Sequence, residues 1–367
     1  MISFAFILLI VTTCNIRACT DPSIKLINII GERTPDASNY ELQIPTDIVL
    51  GANDQIYIID AGSHRILSFD IRGKLLAQFG KKGAGPSEFY YPYSIDMDSR
   101  DNIFISDLGN DRIQLFDLNG TYQGELQFTT GNMRLDRFGD FPVTRARGDF
   151  DYAPDNPDIF PDDYNVQVYT QKGEKKYSFS RKQDFNNGQM NVKGNEVYLD
   201  FDNSDNIVVV YTYRNLIEKY DPHGKIIWAK EQLLNFDATM PRNERDQSNT
   251  FEEVEMNLCH AGVAVDSIGR IWVVSLNRQL RPEEKVNTNL RIMRGFDGRK
   301  NLTISVSDYT GPTTVNVFKI DIFDPDGEFL SSIPLDHFAD NIRISGNDLF
   351  IIDTFHDHQI SHYKIMD

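Results

Sequence analysis

Short stretches of alternating apolar and polar residues recur along most of this chain, punctuated by Gly, Asn and Asp. From Pro45 the sequence reads PTDIVLGANDQIYIIDAGSHRILSFDIRGKLLAQFG, and from Pro92 it reads PYSIDMDSRDNIFISDLGNDRIQLFDLNGTYQGEL. The two segments superimpose almost position by position, with the Gly-rich connector GKKGAGPSEFYY between them. Each predicts four short strands. DIVL and SIDMD alternate, whereas IYIID and IFISD are apolar almost throughout, the pattern of a strand buried on both faces. RILSFD and RIQLFD alternate again, and Arg-Gly or Asn-Gly supplies a tight turn into a fourth, outer strand.

The unit recurs with drift at EVYLDFDNSDNIVVVYTYRNLIEKYDPHGKIIWAKE from Glu196. It returns at AGVAVDSIGRIWVVSLN from Ala261, resuming after an insertion as VNVFKIDIFDPDGEFLSSIPL from Val315. The last unit, NIRISGNDLFIIDTFHDHQISHYKIMD from Asn341, stops where its fourth strand is due. Residues 127 to 189 have room for one more, whose clear part is NVQVYTQKGEKKYSF, two strands about a Lys-Gly turn. Four antiparallel strands per repeat at this period predict an all-β, six-bladed β-propeller. The missing strand is supplied by IKLINIIGE from Ile24, which matches GKLLAQFGK from Gly73. The N-terminal strand is therefore expected to complete the last blade and remove two open sheet edges.

A Pro, an alternating strand, an apolar strand ending in Asp, a turn, then Arg-Ile and an aromatic together resemble the NHL repeat. Asp107, Asn110, Arg112, Ile113 and Phe116 carry the resemblance, and Asp60, Arg65, Ile66 and Phe69 repeat it. With the length, the closing strand and the leader, the chain resembles the six-bladed β-propeller proteins found as bacterial envelope lipoproteins. That resemblance implies export and leaves activity open, since many such proteins have none assigned.

The leader is MISFAFILLIVTTC, an apolar run too short to span a bilayer comfortably and suited to a secretory signal over residues 1–20, with the propeller occupying 21–367. Cys14 is the lipidation candidate, and plain cleavage near Ala18 or Cys19 is the alternative. An exported location, in the periplasm or outer envelope, follows, with membrane attachment only through a lipid anchor. The formal charge of -17, from 37 basic and 54 acidic residues, excludes nucleic acid as a partner, because phosphate binding draws on clustered basic side chains.

Candidate chemistry is sparse. His356, His358 and His362 surround Asp357, but the repeat alignment puts His358 in a turn and His362 on a third strand, so no metal site is expected there. Cys259 beside His260 reads as a buried small apolar residue. Asp60, Asp107 and Asp353 each end a second strand and are expected to accept hydrogen bonds from the following turn and its Arg. The first-strand openings place Asp47, Ser94, Tyr198, Gly262 and Asn341 at the mouth of the central channel, with His260 close by. Calcium takes six or more oxygens and this set offers one carboxylate, so no cofactor is assigned.

Three insertions, at about 129 to 163, 231 to 260 and 277 to 314, fall on connections that emerge on one rim. The expected function is a non-enzymatic binding or scaffolding propeller of the envelope, engaging a protein, peptide or glycan through that rim. The alternative is a metal-dependent hydrolase or lyase at the channel mouth, which requires several of Asp47, His260, Asn341, Asp340 and Tyr198 to converge.

Overall fold

A computed structural model describes residues 21–31, 41–51, 54–127, 131–144, 163–186, 188–232, 234–236, 242–244, 253–286, 288–294, 300–306 and 309–366. The leader and Cys14 lie outside the described residues, as do 145–162, 245–252 and 295–299 of the insertions.

Six antiparallel sheets form the six blades, each numbered by its place in the chain. Blade one is Pro45–Leu50, Gln55–Asp60, Arg65–Asp70 and Leu75–Phe79. Blade two is Pro92–Met97, Ile103–Asp107, Arg112–Phe116 and Tyr122–Gln127. Blade four is Val197–Phe201, Ile207–Tyr211, Ile217–Tyr220 and Ile226–Lys230. Blade five is His260–Val265, Ile271–Leu276, Phe318–Phe323 and Phe329–Pro334. In each, the second strand is buried along its length and the fourth is largely open to solvent, as the apolar and alternating patterns require.

Blade three diverges most. Its sheet contains Phe141–Val143, Tyr164–Tyr169 and Lys175–Arg181, and its innermost segment joins by one bridge, Met133 to Val143. The two strands about the Lys-Gly turn stand where the sequence places them.

Blade six closes the ring. Asn341–Ser345, Asp348–Asp353 and Gln359–Met366 are joined by Ser23–Ile30 as the outer strand, antiparallel from Ser23 opposite Met366 to Ile30 opposite Ile360. Ile30 is buried at the end of this strand. Gly31 then turns with φ +90°, and a Cβ there would lie 2.7 Å from Leu42, so the chain can leave the strand only through glycine.

The core is a set of inter-blade layers. Ile59 and Ile66 of blade one pack with Ile95 and Ile105 of blade two. Ile48 and Leu67 of blade one pack on the other side with Phe350 and Ile360 of blade six. Phe104 and Phe141 join blades two and three, Val168 and Val209 blades three and four, Val210 and Val273 blades four and five, and Trp272 and Ile351 blades five and six.

In blades one and two the aspartate ending the second strand fastens the blade to the linker before it. Asp60 Oδ1 accepts the amides of Gln43 and Ile44, and its Oδ2 accepts Arg65 Nε at 2.9 Å. Asp107 accepts the Tyr90 amide, Asn110 and Arg112. The backbone donors in these two blades thus come from the preceding linker and not from the following turn. Asp353 follows the expected form, taking the amides of His356 and Asp357. In the Gly-rich connector, Glu88 accepts the Gly85 amide and Arg112 donates to the carbonyls of Gly85 and Glu88.

Deleting residues 21–31 removes the outer strand of blade six and the burial of Ile30. The expected result is a fall in thermal midpoint of about 10 °C, from several kcal/mol of lost pairing and packing. Calorimetry of the truncated chain checks this, and an unchanged midpoint would refute closure by the N-terminal strand.

Candidate functional site

Inner strands run beside the channel, so every second residue can face a neighbouring blade across it. Aligning the strands by their pairing to the second strands puts Asp47, Ser94, Tyr198, Gly262 and Asn341 at one level. Asp96, Asp200, Ala264 and Arg343 lie at the next level, two residues on, together with Arg134 from blade three. The first level was legible in the repeat. The second was reachable by the same count, except that blade three has no recognisable inner strand from which to find Arg134.

The first level is buried and internally paired. Arg343 donates from Nε and Nη2 to Asp47 Oδ1 at 2.8 and 2.5 Å. Asp47 Oδ2 accepts Ser94 Oγ at 2.9 Å and the Ile95 amide at 3.1 Å, and Arg134 Nη1 stands 3.6 Å away. Ser94 Oγ lies 3.2 Å from the Met133 carbonyl and amide, which ties in blade three. Tyr198 of blade four donates its hydroxyl to the Asp340 carbonyl at 3.2 Å, reaching past blade five. Gly262 stands between them, and a Cβ at that position would lie 3.1 Å from Asn341 Oδ1. Asn341 Oδ1 accepts the Ile342 amide.

His260 is fully buried, with Nδ1 2.7 Å from the Tyr211 carbonyl and Nε2 3.2 Å from Gln232 Oε1. Burial pushes its pKa down to about 4, so it is neutral at pH 7. The neighbouring Cys259 thiol is pushed up to about 12 by burial, and its Sγ is 3.6 Å from the Asn257 carbonyl. A neutral thiol and a neutral imidazole, each turned to its own carbonyl, do not make a nucleophile and base. Among the described residues, Asp47 pairs with Arg343 and Ser94, His260 with the Tyr211 carbonyl and Gln232, and Asn341 with the Ile342 amide.

A cavity of about 520 Å³ opens at the other end of the channel, where the inner strands finish. Asp96, Asp98, Asp200, Arg134 and Arg343 line it beside Phe201. Asp96 accepts the Leu135 amide and Asp200 the Val265 amide, each at 2.8 Å, so these carboxylates fasten one blade to the next.

The histidines separate. His362 sits between Asn28 and Asp348, at 3.0 and 2.8 Å, and stacks on Phe350. His358 adopts φ +52° and contacts the Thr354 carbonyl, the turn position that His64 occupies in blade one with φ +55°. His356 departs from the reading of an ordinary turn. Its ring lies flat on Phe338 with centroids 3.4 Å apart, and edge-on to Tyr309 at 4.7 Å. Its Nδ1 is 3.5 Å from Asp353 Oδ1, and donor atoms of Asp340, Asp353 and His356 all lie within 4.8 Å of one another. Burial alone would lower the imidazole pKa, but the carboxylates of Asp353 and Asp340 hold it above its ordinary value.

Burial raises the Asp200 carboxyl to about 6, against the opposing pull of Arg134. A folded pKa above the unfolded one gives stability that is complete below about pH 4 and is lost as pH rises through 6. Replacing Asp200 with Asn keeps an acceptor for the Val265 amide and removes the ionisation. The variant is expected to lose about 2 kcal/mol less than the parent between pH 4 and pH 7, read by urea unfolding at both pH values. Equal losses would show that Asp200 titrates normally.

Comparison with solved structures extends the fold assignment. A member of the DUF4221 family from Bacteroides vulgatus superimposes with a TM-score of 0.56 at 10% identity, covering 94% of this chain and 98% of that one. A Bacteroides fragilis protein described as exported gives 0.58 at 10% identity, over 94% and 96%. A gluconolactonase from Xanthomonas campestris gives 0.52 at 12% identity, over 95% and 96%. At these identities the likeness is one of fold. No curated protein matches the chain by sequence. The profile of DUF5128, described as 6-bladed beta-propeller, matches residues 37–227, just over half of the chain. Six blades, a closing N-terminal strand and that match identify the chain as a member of the DUF5128 family of 6-bladed beta-propellers.

Proposed function

We propose that this protein is a non-enzymatic binding or scaffolding propeller of the cell envelope, exported by its leader, that engages a protein, peptide or glycan through its loop-rich face. The observation that carries this reading is the hairpin of the blade-five insertion, Thr288–Arg294 paired with Lys300–Val306. Its second strand contacts the turn Leu108–Asn110 of blade two, three blades away around the ring. An ordered ribbon laid across one face of a rigid scaffold is a surface suited to recognition. A second, shorter hairpin, Arg242–Glu244 with Glu253–Glu255, comes from the blade-four to blade-five connection on the same rim.

The hydrolase or lyase alternative draws less support. Asn341 and Tyr198 are engaged with backbone atoms, His260 with a backbone carbonyl and Gln232, and Asp47 with Arg343 and Ser94. An ion entering there would have to displace Arg343 and Arg134 from a buried carboxylate.

The test is affinity capture from solubilised envelope of the producing cell, using the parent protein and a variant in which 288–306 is replaced by a short Gly-Ser turn. A specific partner retained by the parent and lost by the variant, at an unchanged thermal midpoint, is the expected outcome. Equal capture by both would remove the ribbon from the reading. Turnover of lactone or ester substrates by the parent, abolished by Asp47→Asn, would replace it with the enzyme.

A further inference from the structure

In blades one and two the aspartate at the end of the second strand is balanced by the arginine that opens the third, Arg65 on Asp60 and Arg112 on Asp107, each at 2.9 Å. Blade six keeps the aspartate, Asp353, but the residue paired across from it is Gln359. The repeat's guanidinium is gone, and a second carboxylate, Asp340, and an imidazole, His356, have been brought in. All three side chains are largely withdrawn from water.

The orientation of His356 is informative. Its side chain is 7% exposed, and Nε2 lies 3.0 Å from the Glu284 carbonyl, which can only accept, so Nε2 carries the proton. Nδ1 is buried, makes no well-aligned hydrogen bond and is turned toward Asp353 Oδ1, 3.5 Å away, and Asp340. The Glu284 carbonyl is itself fixed, because Arg278 grips the Glu284 carboxylate at 2.6 and 2.7 Å. Phe338 and Tyr309 hold the ring in place. A histidine whose far nitrogen donates to a carbonyl, leaving the near one facing carboxylates, has the second-shell support typical of a metal ligand.

We propose that Asp340, Asp353 and His356 form a binding site for a divalent transition-metal ion of the zinc class on the loop-rich face of blade six. One imidazole and two carboxylates suit zinc better than calcium or magnesium, which prefer oxygen alone. The donors are close enough for small side-chain rotations to reach zinc bond lengths of about 2.0–2.2 Å. The ion replaces the missing arginine charge. It also links blade six to the blade-five insertion through His356 and Glu284, near the root of the recognition ribbon. The site is independent of the proposed function, since it would exist whether or not the ribbon binds a partner.

The experiment is titration of the EDTA-stripped protein with Zn²⁺ against a chromophoric chelator, with thermal melts in parallel. The parent is expected to bind one equivalent, and its midpoint to rise by about 4 °C at a hundredfold excess of ion over Kd. Gln359→Arg restores the arginine of blades one and two, and Asp340→Asn keeps an acceptor for the Thr354 amide that Asp340 holds at 3.0 Å. Both are expected to lose at least about tenfold in affinity while melting like the parent in EDTA. Co²⁺ in place of Zn²⁺ should give visible absorption in the parent alone. A folded parent without a stoichiometric site, or equal affinity in both variants, overturns the proposal and leaves His356 as the imidazolium partner of Asp353.

Discussion

The ring is held shut by backbone hydrogen bonds between the two ends of the chain, from Ser23 opposite Met366 to Ile30 opposite Ile360. A propeller blade is a twisted sheet whose faces are covered by its neighbours, so each inter-blade layer depends on the ring staying closed. Without the N-terminal strand, blade six would present an open edge and lose the cover over Ile360. Closure of this kind also converts a quasi-linear array, in which each unit touches only its neighbours, into one cooperative body.

Inside the closed ring the inner strands converge, and their polar side chains must satisfy one another. Asp47 and Asp96 reach from one blade to the amide of the next, and Asp200 does the same between blades four and five. Arg343 and Arg134 offset the charge gathered there. Such a network contributes little net stability, since desolvating the charges costs about as much as their attraction returns. Its effect is on geometry, because removing one member leaves a buried partner unsatisfied. The level of Asp47 and Ser94 is thereby occupied by the protein's own paired groups, and a cavity of about 520 Å³ lies where the inner strands finish.

What distinguishes this chain from a plain propeller is where it breaks its own repeat. The two hairpins and the cluster of Asp340, Asp353 and His356 all lie on connections of the same rim. The turns at the other ends of the strands stay uniform. Asp70, Asp117, Asp221 and Asp324 each accept the amides two and four residues on, and a glycine at positive φ completes each turn. Conservative turns on one face and elaborated ones on the other leave the scaffold rigid while one surface carries the variation.

By itself the sequence determined the number of blades, the four strands of blades one and two and their turns, the closing role of Ile24 to Gly31, and the rim on which the insertions emerge. These follow from local periodicity and turn chemistry, which act over a few residues and repeat. It also placed His358 in a turn and His362 on a strand. Blade three was only half legible, because its inner segment makes a single bridge at Met133 and has no strand pattern to read. Only the tertiary structure decided that Arg343 and Arg134 occupy the channel around Asp47, that Tyr198 reaches Asp340, and that His356 faces Asp340 and Asp353. The contacts of Arg343, Arg134 and Tyr198 join residues far apart in the chain, brought together by the angle between blades, whereas His356 meets Asp340 and Asp353 within blade six through the path of its own turn. No pattern along the sequence encodes that angle, because it is fixed by how the inter-blade layers pack.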